Sequence, residues 1–350
     1  MYPDYSGSNS YQRQLRDGLS ECGYDVRLSQ CDRPFPLLEA VRENGRPDVF
    51  HIHWLHRYFV TERAPLTAVL GLRLLVELLV LKSLGVRTVW TVHNLADHER
   101  RSPRLEAAVR NLAARLCDRL VVHCESARDL IATEYHLPQR VVDRIDVVPH
   151  GHYIDSYENE VDRETARERL GFDDERVFLY FGLIRPYKNV VELIETFAAV
   201  EDADARLLVV GSPWNDTIRE EILGLAARDE RVRPVLEFVP DEDIQVYMNA
   251  ADVTVFPFEE VLTSGTALLA MSFGRPVVAP RRGCVAELVD DEGGFAYDPS
   301  APNALRDALR TAAAADLAGM GAYNYEKVRQ FDWDSIARKT ALVYRRAGTE

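Results

Sequence analysis

Short apolar runs alternate with helix-length stretches from one end of this chain to the other, and that alternation restricts it to a parallel α/β architecture. In the first half, strands are expected at residues 25–28, 49–54, 88–93, 120–123 and 145–148. Helices are expected between them at 11–22, 36–44, 66–84, 103–114 and 126–134. The second half repeats the pattern, with strands at 177–181, 206–210, 232–238, 253–256 and 277–279. A length of 350 residues is long for one such domain and comfortable for two. The linker is expected in the polar stretch 151–161, after Pro149-His150-Gly151. The chain opens on MYPDYSGSNSY, which reads as already inside the first strand-to-helix loop. The usual opening strand is therefore expected to be missing or reduced to a few residues, and the start truncated.

Composition narrows the class. Nearly half the residues are apolar and charge is interspersed among them, as in a packed globular protein. A formal charge of −14 argues against nonspecific nucleic-acid binding. The five cysteines (Cys22, Cys31, Cys117, Cys124, Cys284) are scattered without a CxxC spacing, so neither a zinc site nor a disulfide framework is signalled. With no signal peptide read at the start, a reducing cytoplasm is the expected location. The most apolar run, Leu66 to Leu81, carries Arg73 and Glu77 four residues apart and falls short of a membrane span. It reads as a helix packed on the sheet, with a membrane-resting face as the alternative. Neither GxGxxG nor a P-loop occurs, which disfavours a dinucleotide oxidoreductase.

Two segments carry chemistry. Residues 252–280, DVTVFPFEEVLTSGTALLAMSFGRPVVAP, read as strand, polar loop, helix and strand, the helix opening at Thr263-Ser264-Gly265-Thr266. Small hydroxyl residues and glycine at a helix start leave free amides and a positive dipole end, suited to a phosphate. The bland alternative is an ordinary capped helix between buried strands. Residues 176–198, RVFLYFGLIRPYKNVVELIETFA, place Arg185 and Lys188 after a glycine turn at Gly182. The chain holds only three other lysines, Lys82, Lys327 and Lys339. Cations at a helix start are unfavourable unless an anion offsets them, and an Arg–Lys pair can neutralise a diphosphate.

These segments resemble the carboxyl-terminal domain of GT-B glycosyltransferases, the family 4 group in particular. The resemblance is carried by FGLIRPYKN, LLVVGS at 207–212, FVPDEDIQVYMNAADVTVFPF at 238–258, SGTALLAMSFGRPVVAP, and GCVAELV at 283–289, in the expected order. DVFHIHWLH, VWTVHNLADHER and VVPHGHY resemble one subgroup of these enzymes and extend the match to most of the chain. The resemblance implies two Rossmann-like parallel-sheet domains facing each other across a cleft. An acceptor-side domain is expected at 1–155, a nucleotide-sugar domain at 156–328, and a last helix at 329–350 crossing back. It also implies a metal-independent hexosyltransferase with no cofactor, a nucleoside diphosphate sugar as donor (GDP-mannose or a UDP-sugar), and a glycan or lipid-linked glycan as acceptor. Work at the inner face of the cell membrane, with peripheral membrane contact, is part of that expectation. A sugar-nucleotide epimerase or hydrolase of the same fold, and a noncatalytic scaffold subunit, remain as alternatives.

Under this resemblance the donor diphosphate falls to Arg185, Lys188 and the start of the helix at Ser264, Gly265 and Thr266. Gly182, Glu260 and Val239 are expected along the donor, with Gly7, Ser8, Asn9 and His152 lining the cleft. Asp202-Ala203-Asp204 mimics a metal-binding DxD but reads as a solvated loop. The family usually carries two glutamates separated by seven residues. Aligned on Gly274 and Pro276, their places are taken by Val261 and Leu269, with Glu260 one position off and Glu259 two. Leucine cannot bind a ribose hydroxyl, so the retaining mechanism tied to the pair is in doubt and inversion is favoured. Inversion needs a base in the first domain. His93, at the end of a strand, is the leading candidate, with Glu99 and His98 in the following loop as rivals. His51 and His53 alternate with apolar residues and read as core histidines.

Overall fold

The computed structural model describes residues 1–7, 9–30, 33–97, 99 and 101–348, and the chain divides into two compact units. Unit 1 comprises Met1–Gly151 and Phe331–Glu350, and unit 2 comprises His152–Gln330.

Unit 1 is built on four parallel strands in the order β1 (Val49–Ile52), β2 (Arg87–Thr91), β3 (Arg119–Val122) and β4 (Ile145–Val147). Their side chains are almost all buried, so they read as continuous apolar runs rather than alternating ones. The expected opening strand is reduced to a single parallel bridge between Tyr2 and Ile52. Residues 25–28 do not form the expected strand. Around them the chain makes isolated bonds to residues 1–4, from the Met1 amino group to Arg27 O, from Ser29 N to Met1 O and from Asp4 N to Ser29 O. Residues 1–4 thus lie between residues 27–29 and β1, and the chain order reverses there.

Helices α1 (Ser10–Glu21), α2 (Pro36–Asn44), α3 (Ala64–Ser83) and α4 (Pro103–Leu116) cross between these elements. All four carry legible start signals. The Asn9 side chain caps α1, and proline stands in the first turn of α2, α3 and α4, where its missing N–H is harmless. The helix Trp333–Arg346 packs on α1, its Trp333, Ile336 and Ala337 sharing a core with Tyr11, Leu15, Leu19, Val89 and Val121.

Unit 2 is a six-stranded parallel sheet: β5 (Arg176–Phe181), β6 (Ala205–Val210), β7 (Val232–Val235), β8 (Val253–Val255), β9 (Val277–Pro280) and β10 (Gly294–Tyr297). The spatial order is β10-β9-β8-β5-β6-β7. From β5 the chain winds one way through β6 and β7, then returns to β8 on the other side and winds outward to β10. The reversal lies between β5 and β8. In open α/β sheets the loops at the carboxyl ends of such a pair diverge and leave a crevice for ligands. β10 had no counterpart in the expected strands: it is a short edge strand, only its Gly294 is fully buried, and no apolar run announces it.

Candidate active site

In unit 2 three loops meet at this reversal. After β5, Gly182 takes φ +127° and its N–H donates to Val210 O at 3.0 Å. Gly211, after β6, has φ +149°, and a Cβ there would lie 1.8 Å from Gly182 O. Only glycine tolerates these angles and this approach. The two turns are then zipped from Ile184 N to Ser212 O at 3.0 Å and from Trp214 N to Ile184 O at 2.9 Å. That zipper sets the Arg185 guanidinium 4.0 Å from the centre of the Trp214 ring. The short 3₁₀ turn Pro186–Lys188 follows, and Glu259 N donates to Tyr187 O at 3.0 Å, tying the loop after β8 to it. The Lys188 ammonium sits 4.1 Å from the Phe258 ring centre. Burial, with the Arg185 charge adding to it, lowers the Lys188 pKa to about 8.

The third component is the start of the helix Gly265–Ser272. Ser264 caps it, accepting from Ala267 N at 3.2 Å, and its hydroxyl lies 3.1 Å from that of Thr266. A Cβ on Gly182 would lie 3.2 Å from the Thr266 methyl, so the β5 turn and this helix start are direct neighbours. The turn that carries the two cations therefore adjoins a helix start, a combination that can neutralise a diphosphate. Leu269 is buried on the same helix, which removes it from ligand contact, and Val261 and Glu260 are half-buried in the preceding loop. Val239 is half-buried and Phe238 beside it is 75 % exposed.

Unit 1 has a different chemistry at its strand ends. β1 ends at His51 and His53, β2 leads to His93, β3 to His123 and β4 to His150, and all five side chains are buried. His53 Nδ1 lies 3.0 Å from His93 Nε2, so one donates and the other accepts. The Trp54 ring stacks on His93 at 4.5 Å and 13°. Tyr11, from the first turn of α1, packs its ring edge-on to those of His93 and His123 at 5.2 and 5.6 Å and lies 4.7 Å from that of His150. His51 spans Tyr344 Oη and Thr91 Oγ1, each at 2.7 Å. Burial and mutual repulsion hold His51, His53 and His93 well below the usual imidazole range. Burial lowers His123 to about 4, and burial together with His123 lowers His150 to about 3. The cluster is neutral at pH 7.

The loop after His93 is pinned from behind. Glu106 on α4 accepts from Asp97 N at 2.7 Å and from Arg110 Nε at 2.8 Å. Arg110 Nη1 donates to Asn94 O at 3.1 Å, and Tyr135 Oη donates to Leu95 O at 2.7 Å. Arg101 pairs with Glu99 and also, at 2.8 Å, with Glu62. Among the described residues no group of three or more His, Cys, Asp or Glu is placed to hold a metal ion.

Two family models cover most of the chain: Glycosyltransferase Family 4 over residues 5–155 and Glycosyl transferases group 1 over residues 175–314. The chain is a GT-B glycosyltransferase related to these families. It is 29% identical over 344 residues to a GDP-mannose:glycolipid 4-beta-D-mannosyltransferase from Xanthomonas campestris pv. campestris, covering 97% of this chain and 88% of that protein. A D-inositol 3-phosphate glycosyltransferase from Nocardioides sp. is 27% identical over 362 residues, covering 95% and 75%. Among solved structures, sucrose-phosphate synthase from Thermosynechococcus elongatus shares the fold with a TM-score of 0.73 at 21% identity, covering 96% and 92%. Anabaena HepE in complex with UDP-glucose does so at 0.71 and 19%, covering 93% and 86%.

The residues expected at the donor fall on two adjoining segments of unit 2: Gly182, Arg185 and Lys188 in the turn after β5, and Ser264, Gly265 and Thr266 at the helix start that the Gly182–Thr266 approach joins to it. Of the residues expected to line the cleft, Gly7 is exposed with nothing within 4 Å of a would-be Cβ, and Asn9 spends its side-chain oxygen on the α1 cap. His152 is half-buried at the first position of unit 2. Ser8 and His98 lie outside the described residues. Sequence reasoning passed over His123, Trp54 and Trp214. The first had a signal: HIH, TVH, VVH and VPH each put a histidine at the carboxyl end of a first-half strand.

Proposed function

We propose that this protein moves a hexose, from GDP-mannose or a UDP-sugar, to a hydroxyl of a lipid-linked glycan with inversion at the anomeric carbon, at the cytoplasmic face of the membrane. The observation that carries the donor half is the meeting of Arg185, Lys188 and the start of the helix Gly265–Ser272 at the reversal between β5 and β8. As the bond from the sugar to the phosphate oxygen breaks, negative charge grows on the departing nucleoside diphosphate. The two cations and the helix amides stabilise that charge without reorganising. The acceptor half draws on the Xanthomonas relative, a GDP-mannose:glycolipid 4-beta-D-mannosyltransferase, whose name gives a glycolipid acceptor and a β-linked product. A β-linked product from an α-linked donor requires inversion, which agrees with Val261 and Leu269 replacing the glutamate pair.

The acceptor proton needs a base from unit 1, since GT-B enzymes divide donor and acceptor between their domains. His93 is held neutral by burial, and the same burial disfavours its protonated form, so it is weak as a proton acceptor. We assign His93 a hydrogen bond to a sugar hydroxyl and give the proton to Glu99, the other candidate in the same pinned loop.

Calorimetry with GDP and UDP tests the donor site: a chain that binds neither overturns the reading. Arg185→Ala and Lys188→Ala should each lower kcat/KM by about a hundredfold or more. Glu99→Gln should fall similarly in kcat, while His93→Asn should act more on KM. Donor consumed equally fast without any acceptor would point to an epimerase or hydrolase. The anomeric proton of the product, read by NMR, decides between inversion and retention.

A further inference from the structure

Helix α3 is apolar on both sides. Its 18-residue window has mean hydropathy 2.0, yet only 33% of that window is buried in the protein. The inward side, with Thr67, Gly71, Leu74, Glu77, Leu78 and Leu81, packs in unit 1. The outward side carries Leu66, Val69, Leu72, Val76 and Leu79, between 42% and 64% exposed. Steps of three and four residues keep these on one stripe, about 20 Å long at the helical rise. Single exposed leucines are ordinary; five in line on one helix, with Leu112 of the adjoining α4 exposed as well, form a patch that needs a partner.

Charge selects the partner. The chain as a whole carries −14, but unit 1 holds 24 Lys and Arg against 22 Asp and Glu, while unit 2 holds 18 against 34. In the segment that contains α3 and α4, residues 57 to 116, the exposed cations among the described residues are Arg57, Arg63, Lys82, Arg87, Arg104 and Arg115. The exposed acid there is Glu62. An apolar stripe on a segment with an excess of exposed cations fits an anionic bilayer surface, whereas a second copy of the same segment would bring like charges together.

The buried groups of the helix suit it to lie on such a surface rather than to cross it. Glu77 is fully buried and accepts from the amides of Leu37 and Leu38 at 2.9 and 3.2 Å, with Arg73 Nε 3.4 Å away. Arg73 also donates to Tyr58 O at 2.6 Å. Spanning would break these bonds and leave both charges in hydrocarbon.

We propose that the outward face of α3 docks unit 1 on anionic lipid headgroups, with Leu66, Val69, Leu72, Val76 and Leu79 entering the acyl boundary. The proposal rests on the glycosyltransferase reading only in that a lipid-linked acceptor gives the docking its purpose; the binding itself needs none of the sugar chemistry. Sedimentation of the full chain with vesicles tests it. Vesicles of equal parts phosphatidylcholine and phosphatidylglycerol should pellet the protein, and phosphatidylcholine alone should do so at least several-fold less. Val69→Asp with Leu72→Asp should weaken pelleting about tenfold or more. Both positions are exposed, so melting temperature and GDP or UDP affinity should stay at the parent values. The proposal is overturned by no pelleting, by equal pelleting with both lipids, or by pelleting indifferent to the two substitutions. It is also overturned by resistance to alkaline carbonate, which would mean a span, or by a dimer that the substitutions dissolve in the absence of vesicle binding. A chain that pellets with vesicles but binds no nucleotide would instead overturn the donor-site reading and leave the docking intact.

Discussion

Gly182 and Thr266 are in contact at the point where the second sheet reverses: a Cβ on the glycine, at φ +127°, would lie 3.2 Å from the threonine methyl. This contact joins the turn bearing Arg185 and Lys188 to the helix start that supplies amides. Gly182→Ala should therefore damage the site more than the fold. Strain at such an angle costs about 1–3 kcal/mol, and relieving it means moving the turn away from Thr266. Nucleoside diphosphate affinity should fall about tenfold with a modest drop in melting temperature. Unchanged affinity would mean that the diphosphate does not depend on this junction.

Lys188 gives the donor site a pH signature. In the free protein its pKa is about 8, lowered from the ordinary lysine value by burial and by Arg185. Below pH 8 the ammonium is charged and ready for a diphosphate. Above pH 8 it is neutral, and a bound anion must draw a proton back onto it. Affinity should thus fall as pH rises through 8, by up to about tenfold per unit, and binding near pH 9 should take up a proton. Calorimetry in two buffers of different ionisation enthalpy measures that uptake. Lys188→Arg keeps its charge throughout and should abolish it; the same uptake in the variant would assign the proton elsewhere.

Most of this was legible in the sequence because a parallel strand buried on both faces writes itself as an apolar run. Residues 176–181 and 205–210 are such runs and became neighbouring central strands. Residues 25–28, Asp-Val-Arg-Leu, alternate charged and apolar side chains and form no strand, since the chain bonded alongside them is no longer than residues 1–4. β10 was missed for the opposite reason: Gly294-Phe295-Ala296-Tyr297 lies at an edge and needs little apolar content to pair with β9. In the site, Arg185 and Lys188 stood out by residue type. Trp214 and Phe258, which hold them, did not, because a contact between turns of different strands leaves no spacing to read.

The loop that carries Glu99 should depend on a residue that touches no substrate. Glu106 accepts from Asp97 N and from Arg110 Nε with one buried oxygen. Glu106→Gln keeps the size but replaces the charge opposite Arg110, which costs about 3–5 kcal/mol when one partner of a buried pair is lost. The expected result is a lower kcat with nucleoside diphosphate affinity unchanged, because the donor crevice is in unit 2. Loss of nucleotide binding in step with melting temperature would mean general unfolding instead. Pairing the variant with Arg110→Met should recover stability without recovering kcat.

The histidines at the ends of β1 to β4 should make unit 1 acid-labile. Unfolded, each titrates near its ordinary value of about 6.5. Folded, His123 titrates at about 4 and His150 at about 3, with His51, His53 and His93 also well below normal. The unfolded chain therefore binds more protons throughout the interval. Stability is fully present above pH 6.5 and is lost as pH falls below it, by up to about 1.4 kcal/mol per unit for each histidine. Trp54, Trp90 and Trp333 lie in unit 1 and Trp214 in unit 2, so a Trp214→Phe background reports unit 1 by fluorescence. Its denaturant midpoint should drop clearly between pH 7 and pH 5. His123→Gln, which can still donate to Val148 O, should flatten that drop by one histidine's share. A midpoint independent of pH over this interval would mean that the cluster admits protons without unfolding.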